Sequence, residues 1–222
     1  MVGTFTAAVL GGTGLVGSAL LRLAAASGRY RTLRALVRRE GVSLPDGAES
    51  IVVDFESLAA HEPQLDVDHV FCCLGTTIKQ AGSKAAFRRV DLELPLLAAR
   101  TAHAAGARQF VIVTAVGAKA SSSVFYNRVK GELEDALRTL EFPEGLSILH
   151  PSLLLGDRAE KRVGEGVASV FMRVTRPLFV GPLEAYRAIE DVEVARAMLA
   201  AAEKPLGGVR VLEGRSLFEL AR

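Results

Sequence analysis

Ten residues into the chain, Leu10-Gly11-Gly12-Thr13-Gly14-Leu15-Val16-Gly17 restricts the possible fold more than any other stretch. Before it, Phe5 to Leu10 is a short apolar run of the kind that forms a buried strand. After it, Leu15 to Ala26 is rich in Ala and Leu and reads as a helix. The glycines therefore lie on a strand-to-helix turn. Gly11, Gly14 and Gly17 fit G-x-x-G-x-x-G, and Gly12, Gly14 and Gly17 fit G-x-G-x-x-G. Glycine permits positive φ and removes the Cβ that would keep a phosphate from the backbone. The first N–H groups of the following helix point at whatever occupies that space, and the helix dipole favours an anion there. A tight turn without a ligand needs the same residues, but a strand before and a helix after are the context in which such a turn holds a dinucleotide pyrophosphate. Residues 11–17 are therefore the expected pyrophosphate cradle.

The chain continues as an alternation. Strands are expected at Tyr30–Val37, Ser50–Asp54, Asp68–Gly75, Gln109–Thr114, Leu146–Pro151 and, at an edge, Gly208–Leu212. Helices are expected at Ser57–Ala60, Ser83–Ala105, Asn127–Leu140, Gly164–Thr175, Val192–Ala202 and Leu217–Arg222. Pro95 inside the long second helix predicts a kink, and Gly106 reads as its C-terminal cap. Apolar strands alternating with helices predict an α/β fold: a doubly wound, mostly parallel sheet with helices on both faces. No linker or repeat divides the 222 residues, so a single domain is expected, with 152–190 a small cap over the carboxyl ends of the strands.

Composition narrows the functional classes. Half the residues are hydrophobic and Trp is absent, so the core must be built from Ala, Val and Leu. A net charge of +2 argues against nucleic acid as a partner. No apolar run approaches the ~18 residues of a membrane span, and no basic region leads into an apolar core at the N-terminus. The two cysteines, Cys72 and Cys73, are adjacent, so they fit packing in a reducing cytoplasm rather than a disulfide framework. His61, His69 and His103 have no metal-ligand spacing, and no metal site is expected.

Residues beyond the glycine turn extend the expected nucleotide site. Arg38 and Arg39 close the second strand, where an acidic residue ordinarily takes the ribose hydroxyls. A basic residue there suits a 2′-phosphate instead, which predicts NADP(H) over NAD(H); a solvated arginine pair is the alternative. Asp54-Phe55 falls where the chain passes the adenine, although Asp54 equally suits the cap of a short helix. Leu74, Gly75 and Thr76 carry the chain over the cofactor, and Pro151 ends the sixth strand beside it.

Tyr126-Asn127-Arg128-Val129-Lys130 is Y-x-x-x-K at the start of a helix. Positions four apart share a helical face, so a phenol and an ammonium are presented together. A cation beside a phenol eases its ionisation, which suits proton transfer to or from a carbonyl oxygen. The ammonium can also hold the nicotinamide ribose. A third group should polarise the carbonyl. Thr114 at the end of the fifth strand is the first choice, with Ser121, Ser122 and Ser123 as alternatives that also suit a loop or helix start. His150, before Pro151, reads as a structural histidine within reach of substrate.

With the glycine turn, Tyr126, Lys130 and the His150-Pro151 junction in view, the chain resembles the atypical, extended-type short-chain dehydrogenase/reductase superfamily. More narrowly it resembles the Tat-interacting-protein family of oxidoreductase-like proteins, through Cys73-Leu74-Gly75-Thr76-Thr77, Val90-Asp91, Tyr126 to Glu132 and Pro151 to Arg158. The resemblance covers most of the chain and weakens after about residue 160. It implies a Rossmann fold binding NADP(H), with Tyr126 and Lys130 as the catalytic pair. Thr114 stands where the superfamily has a serine, and His150 where it has an arginine. Two functions follow: a hydride-transferring enzyme acting on a small carbonyl or alcohol, or an NADPH-binding sensor that controls a protein partner. A monomer or homodimer suits either.

Overall fold

The computed structural model describes residues 4–152, 154–155 and 189–222. A central sheet of seven strands contains β1 (Phe5–Leu10), β2 (Tyr30–Val37), β3 (Glu49–Val52), β4 (His69–Cys72), β5 (Gln109–Val113), β6 (Gly145–His150) and the edge strand β9 (Val209–Glu213). Their spatial order is β3-β2-β1-β4-β5-β6-β9, and every pairing is parallel. The order reverses between β1 and β4, and a crevice at such a switch point is where open α/β sheets bind ligands. Two short strands, β7 (Leu154–Leu155) and β8 (Ile189–Glu190), pair in parallel apart from the main sheet.

Parallel strands need crossovers, and the helices fill both faces. On one side lie α1 (Leu15–Ala26) and α6 (Asp191–Glu203), which pack on each other. On the other lie a broken 3-10 segment (Phe55–Gln64), α4 (Leu94–Ala104) and α5 (Phe125–Leu137). The strands' period of two divides their side chains between these layers. Ala7, Val9, Phe71 and Val111 join the α1/α6 core, whereas Ala8, Leu10, Val70, Cys72, Phe110 and Ile112 join the other. Fully burying one side chain such as Phe110 contributes about 1.5–3 kcal/mol.

The long helix expected over Ser83–Ala105 is three pieces. They are α3 (Lys84–Arg88), a single π turn, Arg89–Glu93, and α4, and a separate short helix, α2 (Ile78–Ala81), precedes them. Pro95 explains the break. It lacks an N–H and its ring would strike the carbonyl four residues back, that of Asp91, in a regular helix. The wider π turn removes the clash and leaves Asp91 buried. α5 begins at Phe125, two residues earlier than expected, which places Tyr126 in its first turn. A last helix, α7 (Gly214–Leu220), starts three residues ahead of expectation because Glu213 and Ser216 form its cap. The helix expected at 164–175, and nearly all of the cap at 152–190, lie outside the described residues.

Candidate nucleotide and proton-transfer site

The glycine turn crosses the carboxyl ends of β1 and β4. Gly11 has φ +80°, and a Cβ on it would stand 2.6 Å from the carbonyl of Cys73. Gly17, in the first turn of α1, packs directly on the Gly11 carbonyl, with no room for a side chain. These two glycines are demanded by the fold. Gly14 differs, since a Cβ there would meet only Gly11 O, at 3.2 Å. Gly14 is the N-cap of α1, and no side chain caps that terminus. The helix therefore starts with unsatisfied N–H groups beside open space, which suits an anion. Gly14→Val should leave a folded protein that has lost nucleotide binding, whereas Gly17→Val should fail to fold. Circular dichroism with NADPH titration checks both, and normal NADPH binding by Gly14→Val would make the turn purely structural.

Arg38 and Arg39 are exposed at the end of β2. Arg38 borders an open cleft of about 560 Å³, shared with Val53, Asp54, Phe55, Arg89 and Val90. Arg89 pairs with Glu56 and, at 2.7 Å, with Glu93. The Asp54 carboxylate accepts from the Glu56 N–H and the Ser57 hydroxyl, each at 3.0 Å, so it caps the 3-10 segment while lining the cleft. Phe55 turns its ring into the core. The residues fit a dinucleotide: bare helix N–H groups for a pyrophosphate lie at one end, and a cleft bordered by two arginines at the other.

Next to the turn, the exit of β4 lies against a buried ion pair. Lys130 Nζ is 2.8 Å from Asp91 Oδ1, and both side chains are almost wholly inaccessible. The approach is off the hydrogen-bonding angle, so Oδ1 has no well-directed donor, while Oδ2 accepts from the Thr76 N–H at 2.9 Å. Gly75 passes directly beside the pair, its Cβ position 3.4 Å from Asp91 and 3.8 Å from Lys130. Leu74 packs on the α4/α5 core layer. Burial pushes the Asp91 carboxyl up against the pull of Lys130. Burial opposes the Lys130 ammonium, but Asp91 and then Tyr126 outweigh it, so the lysine stays above its ordinary value and carries its charge. Tyr126 is half-buried and packs on the Phe87 ring, with centroids 5.4 Å apart.

Thr114 does not present a free hydroxyl. It donates to Glu134 Oε1 at 2.6 Å and is 5% exposed. Serving a substrate carbonyl would mean giving up that buried bond. Among the serines, Ser122 accepts from the Val124 N–H ahead of α5, and Ser121 and Ser123 are exposed. His150 lies between two carboxylates, with Nε2 2.8 Å from Glu134 and Nδ1 3.1 Å from Glu213. The Val116 N–H donates to the carbonyl of the buried Pro151 and ties the exits of β5 and β6 together.

Sequence reasoning did not single out Asp91, Glu134 or Glu213 as site residues. Two of them carry a signal. Glu134 lies four residues beyond Lys130 and eight beyond Tyr126, on the same helical face. Asp91 is an acid four residues ahead of an in-helix proline.

Comparison with known proteins places this geometry. Residues 52–175 match the family model described as HIM1, more than half of the chain. The chain belongs to the HIM1 family. The protein HTATIP2 of Rattus norvegicus is 33% identical over 219 residues, covering 96% of this chain and 88% of that one. This bears out the resemblance to Tat-interacting proteins. A Debaryomyces hansenii relative, "Protein FMP52, mitochondrial", is 32% identical over 90% of this chain and 89% of its own. The fold matches a Helicobacter pylori ADP-L-glycero-D-manno-heptose-6-epimerase, with TM-score 0.70 at 14% identity over 98% of this chain and 80% of that one. It also matches MoeE5 solved with UDP-glucose and NAD, with TM-score 0.68 at 15% identity over 97% and 80%. The chain thus has the Rossmann-like, mostly parallel α/β fold expected of it. Cytoplasmic location is corrected, because the FMP52 relatives from three fungi are named mitochondrial. Two adjacent reduced cysteines, one buried and one half-buried, report on thiol packing and do not discriminate between reducing compartments.

Proposed function

We propose that this chain is an NADP(H)-dependent oxidoreductase of the short-chain dehydrogenase/reductase type, acting on a small carbonyl or alcohol. The observation that carries the reading is the buried Lys130–Asp91 pair. A folded protein gains little from burying an ammonium with a single carboxylate, since desolvation offsets most of the attraction. Here the ammonium is held on the same helical face as the half-exposed Tyr126, beside the Gly75 backbone. An ammonium has three donors; with one side facing Asp91, the others are left for the ribose hydroxyls and the phenol.

When bound, the nicotinamide supplies or accepts hydride. The chain does the rest. The glycine turn and the α1 N-terminus bind the pyrophosphate, and Arg38 grips the 2′-phosphate with Arg39 beside it. Asp54 and Phe55 border the adenine, and Leu74 to Thr76 close over the ribose. Tyr126 delivers a proton to the carbonyl oxygen, or removes it in reverse, and Lys130, one turn along the same helical face, holds the ribose beside it. Titration of NADPH and NADH against wild type and Arg38→Glu tests the cofactor assignment. A charge-assisted hydrogen bond is worth ~1.5–3 kcal/mol, so NADPH should bind roughly tenfold to a hundredfold tighter than NADH. Arg38→Glu should lose that preference; equal affinities in the wild type would overturn it.

One observation favours a second reading, a non-catalytic NADPH-binding regulator of a protein partner: the Thr114 hydroxyl is committed to Glu134 and offers substrate no donor.

A further inference from the structure

The Thr114–Glu134–His150–Glu213 chain joins four elements, and nothing in the proposed chemistry uses it. Glu134 is 3% exposed, yet it faces two donors on one oxygen: the Thr114 hydroxyl at 2.6 Å and His150 Nε2 at 2.8 Å. Its other oxygen is 3.6 Å from Arg138. The opposite ring nitrogen of His150 faces Glu213, whose side chain is about half exposed. Each imidazole nitrogen is thus aimed at a carboxylate oxygen. A neutral ring has a proton on only one nitrogen and would turn a lone pair towards the other carboxylate. The arrangement calls for an imidazolium.

The place of this bridge matters. Tyr126, Lys130 and Glu134 stand at intervals of four on α5, one turn above another on one face. Lys130 ties that face to Asp91 in the π turn, and Glu134 ties it to the ends of β5 and β6. Two buried attachments a turn apart fix both the rotation of the helix about its axis and its slide along it. Tyr126 is in the same helix, one turn before the first attachment. We propose that Glu134 and His150 are positioning residues for Tyr126, and that protonated His150 is the part of this attachment that can be released.

The inference rests on the reading of Tyr126 as the proton-transfer group, but the position of the phenol can be observed without turnover. Among the described residues, the charged groups facing His150 are Glu134 from α5 and Glu213 from β9, with Arg138 behind Glu134. Burial opposes the imidazolium, but hydrogen bonding and charge from Glu134 and Glu213 win, so His150 is raised above an ordinary histidine. Both arms of the bridge are therefore present below the ordinary histidine value, and one of them is lost as pH rises through the higher folded value.

The test is NMR on the full chain with ring-labelled tyrosine and histidine. Only three tyrosines and four histidines are present, and Tyr126→Phe and His150→Gln assign the two signals of interest. In the wild type the Tyr126 ring signal should move with pH, with the same midpoint as His150. In His150→Arg, a permanent cation with several donors, that movement should vanish and the low-pH position should persist. In Glu213→Gln, which removes the solvent-side charge but keeps an oxygen for the α7 cap and should fold, the midpoint should fall. A Tyr126 signal that ignores the His150 titration, or a midpoint unmoved in Glu213→Gln, overturns the proposal. Carbonyl turnover by wild type and Tyr126→Phe tests the underlying reading separately, since the ring signals report position whether or not the protein turns over substrate.

Discussion

Tyr126→Phe should lower turnover of a carbonyl substrate by a factor on the order of 10²–10⁴, the usual worth of a positioned acid or base, while NADPH affinity survives. The substitution removes one oxygen atom from a half-buried ring, and the ring keeps its packing against Phe87. The nucleotide contacts proposed for the glycine turn, Arg38 and Lys130 are untouched. Lys130→Ala should differ by damaging both turnover and binding, because one ammonium is proposed to serve the phenol and the ribose. The measurement is NADPH oxidation against a panel of aldehydes, ketones and quinones, with Tyr126→Phe in parallel. Activity that persists unchanged in Tyr126→Phe would refute the mechanism. The regulator reading makes the opposite forecast: Tyr126→Phe is silent in every assay, recruitment of a protein partner included.

Asp91→Asn should be the most destabilising single change at the site. It leaves the Lys130 ammonium buried without its counter-charge, a situation that costs about 3–5 kcal/mol. For a chain of this size that corresponds to a fall in Tm of roughly 6–20 °C. The acceptor for the Thr76 N–H survives in the amide, so the effect is that of the charge. The double variant Asp91→Leu with Lys130→Met removes both charges and should recover much of the stability, but it should not bind NADPH. Chemical denaturation of the three proteins decides the matter. A single variant within about 1 kcal/mol of wild type, the range of an exposed ion pair, would show that the pair is not sealed from water. A double variant that binds NADPH normally would remove Lys130 from the nucleotide site.

Read residue by residue, the sequence went far on elements and less far on contacts. Residues 5–10, 15–26 and 30–37 form the strand, helix and strand that their apolar patterns predicted, with the same boundaries. In these segments local propensity and the pattern of burial agree. Boundaries drifted where a tertiary contact set them. β3 stops at Val52, short of Asp54, because Asp54 turns to cap the next segment. The long helix broke at the π turn because Pro95 conflicts with the carbonyl of Asp91. The Lys130 and Tyr126 pairing was legible, because a spacing of four in a helix has one geometric meaning. Asp91, the partner of Lys130, lies 39 positions away across the fold, and no local pattern announces that pairing.

The sequence by itself determined the alternation of strands and helices, the glycine turn and the face shared by Tyr126, Lys130 and Glu134. These depend on periods of two and 3.6 residues and on the absence of a Cβ, which are local properties of the chain. Only the tertiary structure decided which charges became partners. It closed Asp91 on Lys130, turned the Thr114 hydroxyl from the expected substrate to Glu134, and set His150 between carboxylates 16 and 63 residues away. The physical reason is that a charge or hydroxyl taken out of water must be met by whatever group the packed sheet brings beside it. That neighbour is chosen by strand order and helix placement, which a one-dimensional pattern does not carry.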